Sequence, residues 1–554
     1  MIQRRWNIFT SALLLGGMLL STSAFAETEI NKWEAFLDVE GKIGSHRHLG
    51  EGDFFIPLVQ DEDTLLYTDI RYRLDNQSSK EGNFGLGLRH ILPSSWIVGG
   101  YTYYDRRKTP YDNYFSQITA GLELLSVDWD FRANVYIPIG TTSHLEDSLS
   151  SVDFSGTSIM YSQGEERSMK GYDVEIGYRL PIFDAQEEQQ VRLFAGGYRF
   201  YEDDVQSVQG PRGRVELTFD EVPFLWEGSR LTLGAEVQRD DVRGRQSFAT
   251  LRIRIPFGNQ KIKFAPIQKL SAIEKRMTTP IIRDVDIVSQ AGVFEAPVEV
   301  TATADGNKLV YIKHDEISSG AELNTLIQNA GENATIVLNG TLTGINSLST
   351  MKDGQTIIGK GNIDITTPAG KKVSVPSPGG SISGQGGYIT TSGSNTFFLM
   401  GNNTTLTGIT AHITNSSGTG TVIAHIDNVN NVTIKNSNLT VISSPIEVSY
   451  VFTINDSDNI YIGNNTLKMH SDGPYASLIG FIGTQINNVT IENNDYTISG
   501  TTDKSRTFYF YNVTMNNLNG SNNTTNQSAG SMGTYNNAST INGSVSFTNG
   551  FTVQ

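Results

Sequence analysis

The stretch VDWDFRANVYIP, residues 127–138, alternates without a break. Val127, Trp129, Phe131, Ala133, Val135 and Ile137 take the odd positions, and Asp128, Asp130, Arg132, Asn134 and Tyr136 the even ones. A period of two places successive side chains on opposite faces of a strand, so this segment has one apolar and one charged face. The pattern recurs. KGYDVEIGYRLP sets Tyr172, Val174, Ile176, Tyr178 and Leu180 against Asp173, Glu175, Gly177 and Arg179. SRLTLGAEVQR and FATLRIRIPF repeat it around Leu231–Val237 and Ala249–Phe257.

A soluble antiparallel sheet also alternates when one face is wet. These runs of 10–12 residues, however, exceed the usual 5–6 of globular strands and match a tilted membrane strand. Aromatic residues near the run ends, Trp96, Tyr103, Tyr104 and Trp129, suit interfacial girdles. Twelve such segments are predicted: 33–44, 50–59, 64–75, 82–92, 95–105, 114–125, 127–138, 170–181, 190–201, 212–221, 229–240 and 246–257. An even number closes a barrel and leaves no strand edge in lipid. The joint at 139–169 is long and polar, LPSS at 92–95 is short, and the parity assigns 139–169 to the outside. The charged faces then line a wet lumen, with Asp128, Asp130, Arg132, Asp173, Glu175, Arg179 and Glu236 among the residues predicted to face it.

The N-terminus carries Arg4 and Arg5, the apolar run LLLGGMLL and Ala24-Phe25-Ala26, which reads as a secretory signal peptide over residues 1–26. Removing the two arginines takes the formal charge from −16 to −18, and an acidic exported chain lacks the basic footprint that nucleic-acid binding needs. With no cysteine, disulfides, thiolate metal sites and cysteine nucleophiles are excluded.

Composition changes near residue 300. From Asp305 onward there are 10 Lys+Arg, 15 Asp+Glu, 35 Asn and a single arginine, Arg506, in 250 residues. The chain therefore divides into a barrel (27–258), a linker threading the lumen (259–307) and a second domain (308–554). Twelve strands that begin in the periplasm also end there, so anything after Phe257 reaches the outside only through the pore. The 49-residue linker is long enough, since roughly ten extended residues cross an apolar band about 25 Å tall. It is also basic, with Lys261, Lys263, Lys269, Lys275, Arg276 and Arg283. Lys261, Lys263 and Lys269 are expected to pair with lumen acids and help to plug the pore. The competing expectation is that the wall charges pair with one another or with water.

The motifs GEGDFFIPL, LLYTDIRYRLD, GNFGLGLRHIL, WIVGGYTYYDRR, DFRANVYIP, KGYDVEIGYRLP and LRIRIPF, spread over some 230 residues, resemble the inverse autotransporter β-domain of the intimin/invasin family. That resemblance implies a twelve-stranded outer-membrane barrel that secretes a C-terminal passenger through its own lumen. It also implies dependence on the outer-membrane barrel assembly machinery and a periplasmic chaperone. The chain departs from familiar members in showing no room for a peptidoglycan-binding module, no tandem immunoglobulin-like repeats and no C-type lectin tip. The family's host receptor is therefore not carried over.

In the second domain, Asn403, Asn431, Asn459, Asn488 and Asn512 open short strand-like units spaced 28, 28, 29 and 24 residues apart, with weaker copies at Asn333 and near residue 354. Such periods indicate a solenoid. The LxxLxL framework of leucine-rich repeats is missing. SSGAELNTLIQNAGENATIVLNGTLTG resembles the opening helix and first rung of a right-handed parallel β-helix of the pectin-lyase-like type. Asparagines would form ladders and take up left-handed turn conformations. Val429, Val432, Ile434, Leu439 and Val441 would form the inward stack of one coil.

The expected architecture is all-β: a twelve-stranded antiparallel transmembrane barrel followed by a parallel β-helix. The expected function is type V secretion by an inverse autotransporter that displays an adhesin or invasin-like passenger, with the outer-membrane bilayer and a surface glycan or protein receptor as partners. Two alternatives stand beside it: a surface polysaccharide-degrading β-helix enzyme, and a pore with a periplasmic C-terminal domain. Asp456 and Asp458 in NDSDN, His470-Ser471-Asp472-Gly473, and Arg506 with Asp503 are the enzyme's best candidates, but the companion GHG and RIK segments of polygalacturonases are missing. His46 and His48 lack a third metal ligand. No catalytic, cofactor or metal site is assigned.

Overall fold

The computed structural model describes residues 32–554 except 155–157, 223–224, 258–269, 285, 346–348, 368, 385–394, 416–419, 444–448, 472–475, 500–504 and 528–532. The predicted signal peptide and Lys261, Lys263 and Lys269 lie outside the described residues. By packing, the chain divides into two units: 1–150 with 163–295, and 151–162 with 296–554.

The first unit is a closed barrel of twelve antiparallel strands. They are β1 (Phe36–Gly44), β2 (His48–Gln60), β3 (Thr64–Asp75), β4 (Lys80–Ile91), β5 (Ile97–Lys108), β6 (Tyr114–Leu125), β7 (Trp129–Ile139), β8 (Lys170–Leu180), β9 (Gln189–Glu202), β10 (Val205–Asp220), β11 (Arg230–Asp240) and β12 (Gly244–Pro256). β1 and β12 seal it in register from Phe36–Pro256 to Gly44–Phe248. Alternation dictates the wall. In β7, Trp129, Phe131, Val135 and Ile137 are exposed on the outside, whereas Asp130, Arg132 and Asn134 are buried within.

Glycines in the family motifs have a packing reason. A Cβ on Gly85 or Gly87 would sit 2.2–2.3 Å from the rings of Tyr103 and Tyr67, so these inward positions stay bare to seat the two rings. Tyr103 is thus a lumen residue at 1% exposure, not a girdle residue; its neighbour Tyr104, at 42%, faces out. Trp129 packs with Tyr178 and Phe131, and Phe131 with Trp96, as an aromatic cluster at the end carrying both barrel termini.

Joint lengths obey the expected contrast only in part. The 140–169 connection is long, but the β9–β10 joint at the same end is two residues, 203–204, and the β8–β9 joint at the other end spans 181–188. β9 and β10, at 14 and 16 residues, run longer than predicted because their hairpin continues pairing past the length a bilayer requires.

The second unit is a parallel β-solenoid of about seven turns. It opens with the helix α1 (Gly320–Ala330), capped by Ser319, whose side chain accepts the Glu322 amide; Leu323 and Ile327 close the apolar end of the stack. Each turn adds a strand to three columns, for example Asn430–Lys435, Asn438–Ser443 and Ser449–Asn455 in one turn, then Asp458–Gly463, Thr466–Ser471 and Ala476–Ile482 in the next. Identical positions stack, so Ile336, Ile357, Leu406, Ile434, Ile462 and Ile491 form one fully buried row. Val429, Val432, Ile434, Leu439 and Val441 are buried as expected.

The asparagine register differs from the sequence reading at its last step. Asn403, Asn431, Asn459, Asn488 and Asn517 form one column, all at φ between +53° and +61°. Asn512 belongs to another corner, with Asn428 and Asp456. NVTM mimics the repeat locally, but the strand that continues the column starts later, so the true spacing is 29 rather than 24.

Candidate functional site: the chain inside the barrel

The barrel begins and ends at one rim, since Phe36 pairs with Pro256 there. From that rim the linker runs through the lumen to the opposite one, and its contacts follow in order. Glu274 accepts the Trp33 indole N–H through its carbonyl (3.0 Å) and pairs with Lys32 (2.6 Å). Arg89 donates to the carbonyls of Met277 (2.7 Å) and Thr279 (2.8 Å), and Arg71 to that of Ile281 (3.0 Å). Asn134 then donates to the Ile282 carbonyl (3.3 Å), and the Asp284 amide to the Tyr136 hydroxyl (2.7 Å). Near the far rim Ile287 donates to Glu81 (3.0 Å), and Ser289–Val293 pairs with Gly164–Ser168. The wall arginines satisfy carbonyls that an extended chain inside a protein would otherwise leave unpaired.

Side-chain charges fix the register of this segment. Arg283 meets Asp105 with two nitrogens, at 2.9 and 3.2 Å, both residues wholly buried, and its guanidinium lies 4.1 Å from the Tyr103 ring centre. Arg276 pairs with Asp130, and Asp286 with Arg73 (3.1 Å) and Arg47. Bidentate and convergent pairs of this kind carry geometric specificity that a lone lysine does not.

The sequence-derived residues fall as follows. Asp130 is fully buried and draws Arg192 (3.3 Å), Arg132 (3.9 Å) and Arg276 together. Arg132 also lies 3.5 Å from Glu175, which pairs with Arg214 at 2.8 Å. Asp173 accepts from Asn134 (2.9 Å) and Tyr136 and faces Arg212 (3.6 Å). Glu236 reaches Lys42 (3.7 Å) across the wall. Asp128 precedes β7, sits at the rim half exposed, and pairs with Arg179 at 2.7 Å. The wall charges therefore pair with each other and with Arg276, Arg283 and Asp286 of the linker, while the expected pairing of Lys261, Lys263 and Lys269 falls on residues outside those described. Among the described linker residues, Arg276 and Arg283 are cations that pair with lumen acids.

Asp105, Glu81, Arg89 and Asp286 escaped the sequence reading. The signal was present for Asp105, because alternation in YTYYD puts it on the Tyr103 face; treating Tyr103 as a girdle residue hid it.

The enzyme candidates are occupied by turn chemistry. Asp456 accepts from the Thr484 amide (2.6 Å), the Thr484 hydroxyl (2.9 Å) and the Gln485 amide (3.0 Å). Burial alone would raise its carboxyl, but these donors outweigh it and hold the group below the usual carboxylate range. Asp458 accepts from the Asn487 amide and side chain, taking an asparagine's place in a ladder. His470 meets the Ser499 hydroxyl (3.0 Å), and Asp472, Gly473 and Asp503 lie outside the described residues. Among the described residues no three of His, Cys, Asp and Glu could hold a metal ion.

A closed antiparallel barrel with an apolar outer belt and a charged lumen that holds its own chain is the architecture of an outer-membrane β-barrel. Residues 22–260 match the family described as the inverse autotransporter β-domain. No curated protein matches the chain. Similar solved structures include NanC porin (12% identity, 40% of this chain and 100% of that one, TM-score 0.25). Outer membrane phospholipase A from Escherichia coli (9%, 44% and 96%, TM-score 0.25) and OpdK from Pseudomonas aeruginosa with vanillate (10%, 38% and 56%, TM-score 0.22) are also similar.

Proposed function

We propose that this outer-membrane autotransporter exports residues 308–554 through its own lumen and displays them on the cell surface as an adhesin or invasin-like factor. The observation that supports the reading is the course of residues 274–284 and 286–293 from the terminal rim to the opposite rim. Both barrel termini lie at one rim, so a chain leaving β12 and emerging at the other has crossed the wall's full height. Residues 27–258 are then the translocator, 259–307 the tether and 308–554 the passenger. Assembly calls on the outer-membrane barrel machinery and a periplasmic chaperone. The solenoid's long polar faces suit a surface glycan or protein receptor.

A tag placed after Gln554 tests this. Antibody labelling of the tag on intact cells, together with its loss to external protease while the barrel survives, is the expected result. Labelling only after the outer membrane is opened would overturn it in favour of a periplasmic C-terminal domain.

A further inference from the structure

One outward column of the solenoid changes character along its length. It reads Tyr311, Val337 and Ile358 over the opening turns, then Thr407, Lys435, Gly463 and Glu492. An outward position on a solvated solenoid has no use for apolar side chains, yet Val337 is fully buried. Among the described residues, two pieces of chain cover the opening turns. One is the local hairpin Asn362–Thr366 and Lys372–Pro376, which brings Ile363, Ile365 and Val375. The other comes from far earlier in the chain, between barrel strands β7 and β8.

Residues 151–154 and 158–162 pack as part of the second unit. Ser151–Asp153 pairs with Met160–Ser162, which pairs in turn with Val298–Glu299. The Val300 amide donates to the Ile159 carbonyl (2.8 Å), Ser158 to the Glu299 carboxylate (2.5 Å) and the Tyr311 hydroxyl to the Phe154 carbonyl (2.7 Å). Ile159 and Tyr161, each 2% exposed, join Leu309, Tyr311, Val337 and Ile358 in one apolar cluster. The cover is therefore built of both main-chain pairing and side-chain burial.

We propose that residues 151–154 and 158–162 are the template on which the passenger begins to fold. This rests on the display reading above. A solenoid turn is stabilised chiefly by its neighbours, so the first turn has no turn beneath it and needs a cap. Starting a strand column also incurs ordering entropy before any neighbour rewards it. The β7–β8 segment precedes the passenger in the chain, and a closed barrel holds both its ends. Its pairing edge thus awaits Val298 when the passenger emerges, and folding proceeds from residues 298–313 toward the C-terminus, each turn offering an edge to the next.

The test uses the full chain in its membrane, comparing Ile159→Asp/Tyr161→Asp with Ile159→Val/Tyr161→Phe. Three readouts are followed after a synthesis pulse: barrel folding by gel mobility, labelling of a C-terminal tag on intact cells, and protease resistance of the passenger. With the barrel folded, the aspartate pair is expected to slow gain of resistance by roughly tenfold or more, the factor that about 1.4 kcal/mol represents. Early cuts should fall between residues 296 and 345, and the conservative pair should behave as wild type. Wild-type kinetics in the aspartate pair would overturn the template. Should the aspartate barrel fail to fold, Tyr311→Ala/Val337→Ser attacks the same contact from the passenger side, and wild-type kinetics there would overturn the template equally. A wild-type tag that never reaches the surface sinks the display reading itself.

Discussion

Arg283 and Asp105 meet in the lumen with no exposure to solvent. Asp105 keeps Thr119 (2.5 Å) and Asn83 (2.8 Å) as donors when Arg283 is removed, but its charge loses its counter-ion. Breaking a buried pair costs about 3–5 kcal/mol, so Arg283→Gln should loosen the tether by that order. The readout is protease access to residues 274–288 in reconstituted full chain; the exchange Asp105→Arg/Arg283→Asp should recover part of the protection. In the passenger, His425 is buried to 5% exposure, with Nδ1 at 2.6 Å from the Thr453 hydroxyl. Burial lowers its pKa below the ordinary imidazole value, and Asp427 offsets only part of this. Below about pH 6.5 the unfolded chain therefore binds more protons than the folded one. Passenger stability should fall as pH drops through that value and level off below the lowered folded pKa. Urea midpoints at pH 7.5 and pH 5 should converge in His425→Gln.

At the scale of elements, the interior ladder Asn465–Asn494–Asn523 welds three turns together. Asn494 donates to the Ile462 carbonyl (3.0 Å) and to Asn523 (3.2 Å), and accepts from the amide (3.0 Å) and side chain (3.0 Å) of Asn465. Asn494→Leu preserves size but strands the Asn465 amide and the Ile462 carbonyl in an apolar interior, at about 1–3 kcal/mol for each group. Ser437 does a similar task one turn earlier, accepting from the Ile409 amide (3.1 Å) and donating to the Lys435 carbonyl (2.8 Å). Asn494→Ser should accordingly be milder than Asn494→Leu, as measured by the urea midpoint of passenger unfolding.

For the whole molecule, the chain's own segment crosses and narrows the lumen, so the full-length protein should conduct poorly in planar bilayers. Arg276→Gln/Arg283→Gln removes two of the pairs that hold the segment, and frequent openings to a larger conductance are the expected outcome. Unchanged traces would mean that the carbonyl grips of Arg71 and Arg89 suffice to keep the segment seated.

Periodicity alone determined the strand count, the seam between β1 and β12, the lumen face of Asp130, Arg132, Asp173, Glu175 and Glu236, and the inward row through Ile434. Alternation is a property of neighbours in the chain, and lipid outside with water inside leaves it a single solution. The break in composition near residue 300 likewise separated barrel from solenoid. Tertiary structure decided what depends on residues far apart. That Tyr103 has room for its ring in the lumen hung on the bare Cα of Gly85 on the next strand. Whether Asn512 or Asn517 continued a column hung on stacking against Asn488. The pairing of Met160 with Glu299 joins residues 139 positions apart, and neither local pattern announces the other. Short-range alternation fixes the face a side chain takes, whereas its partner is chosen only once the folded chain has brought the candidates together.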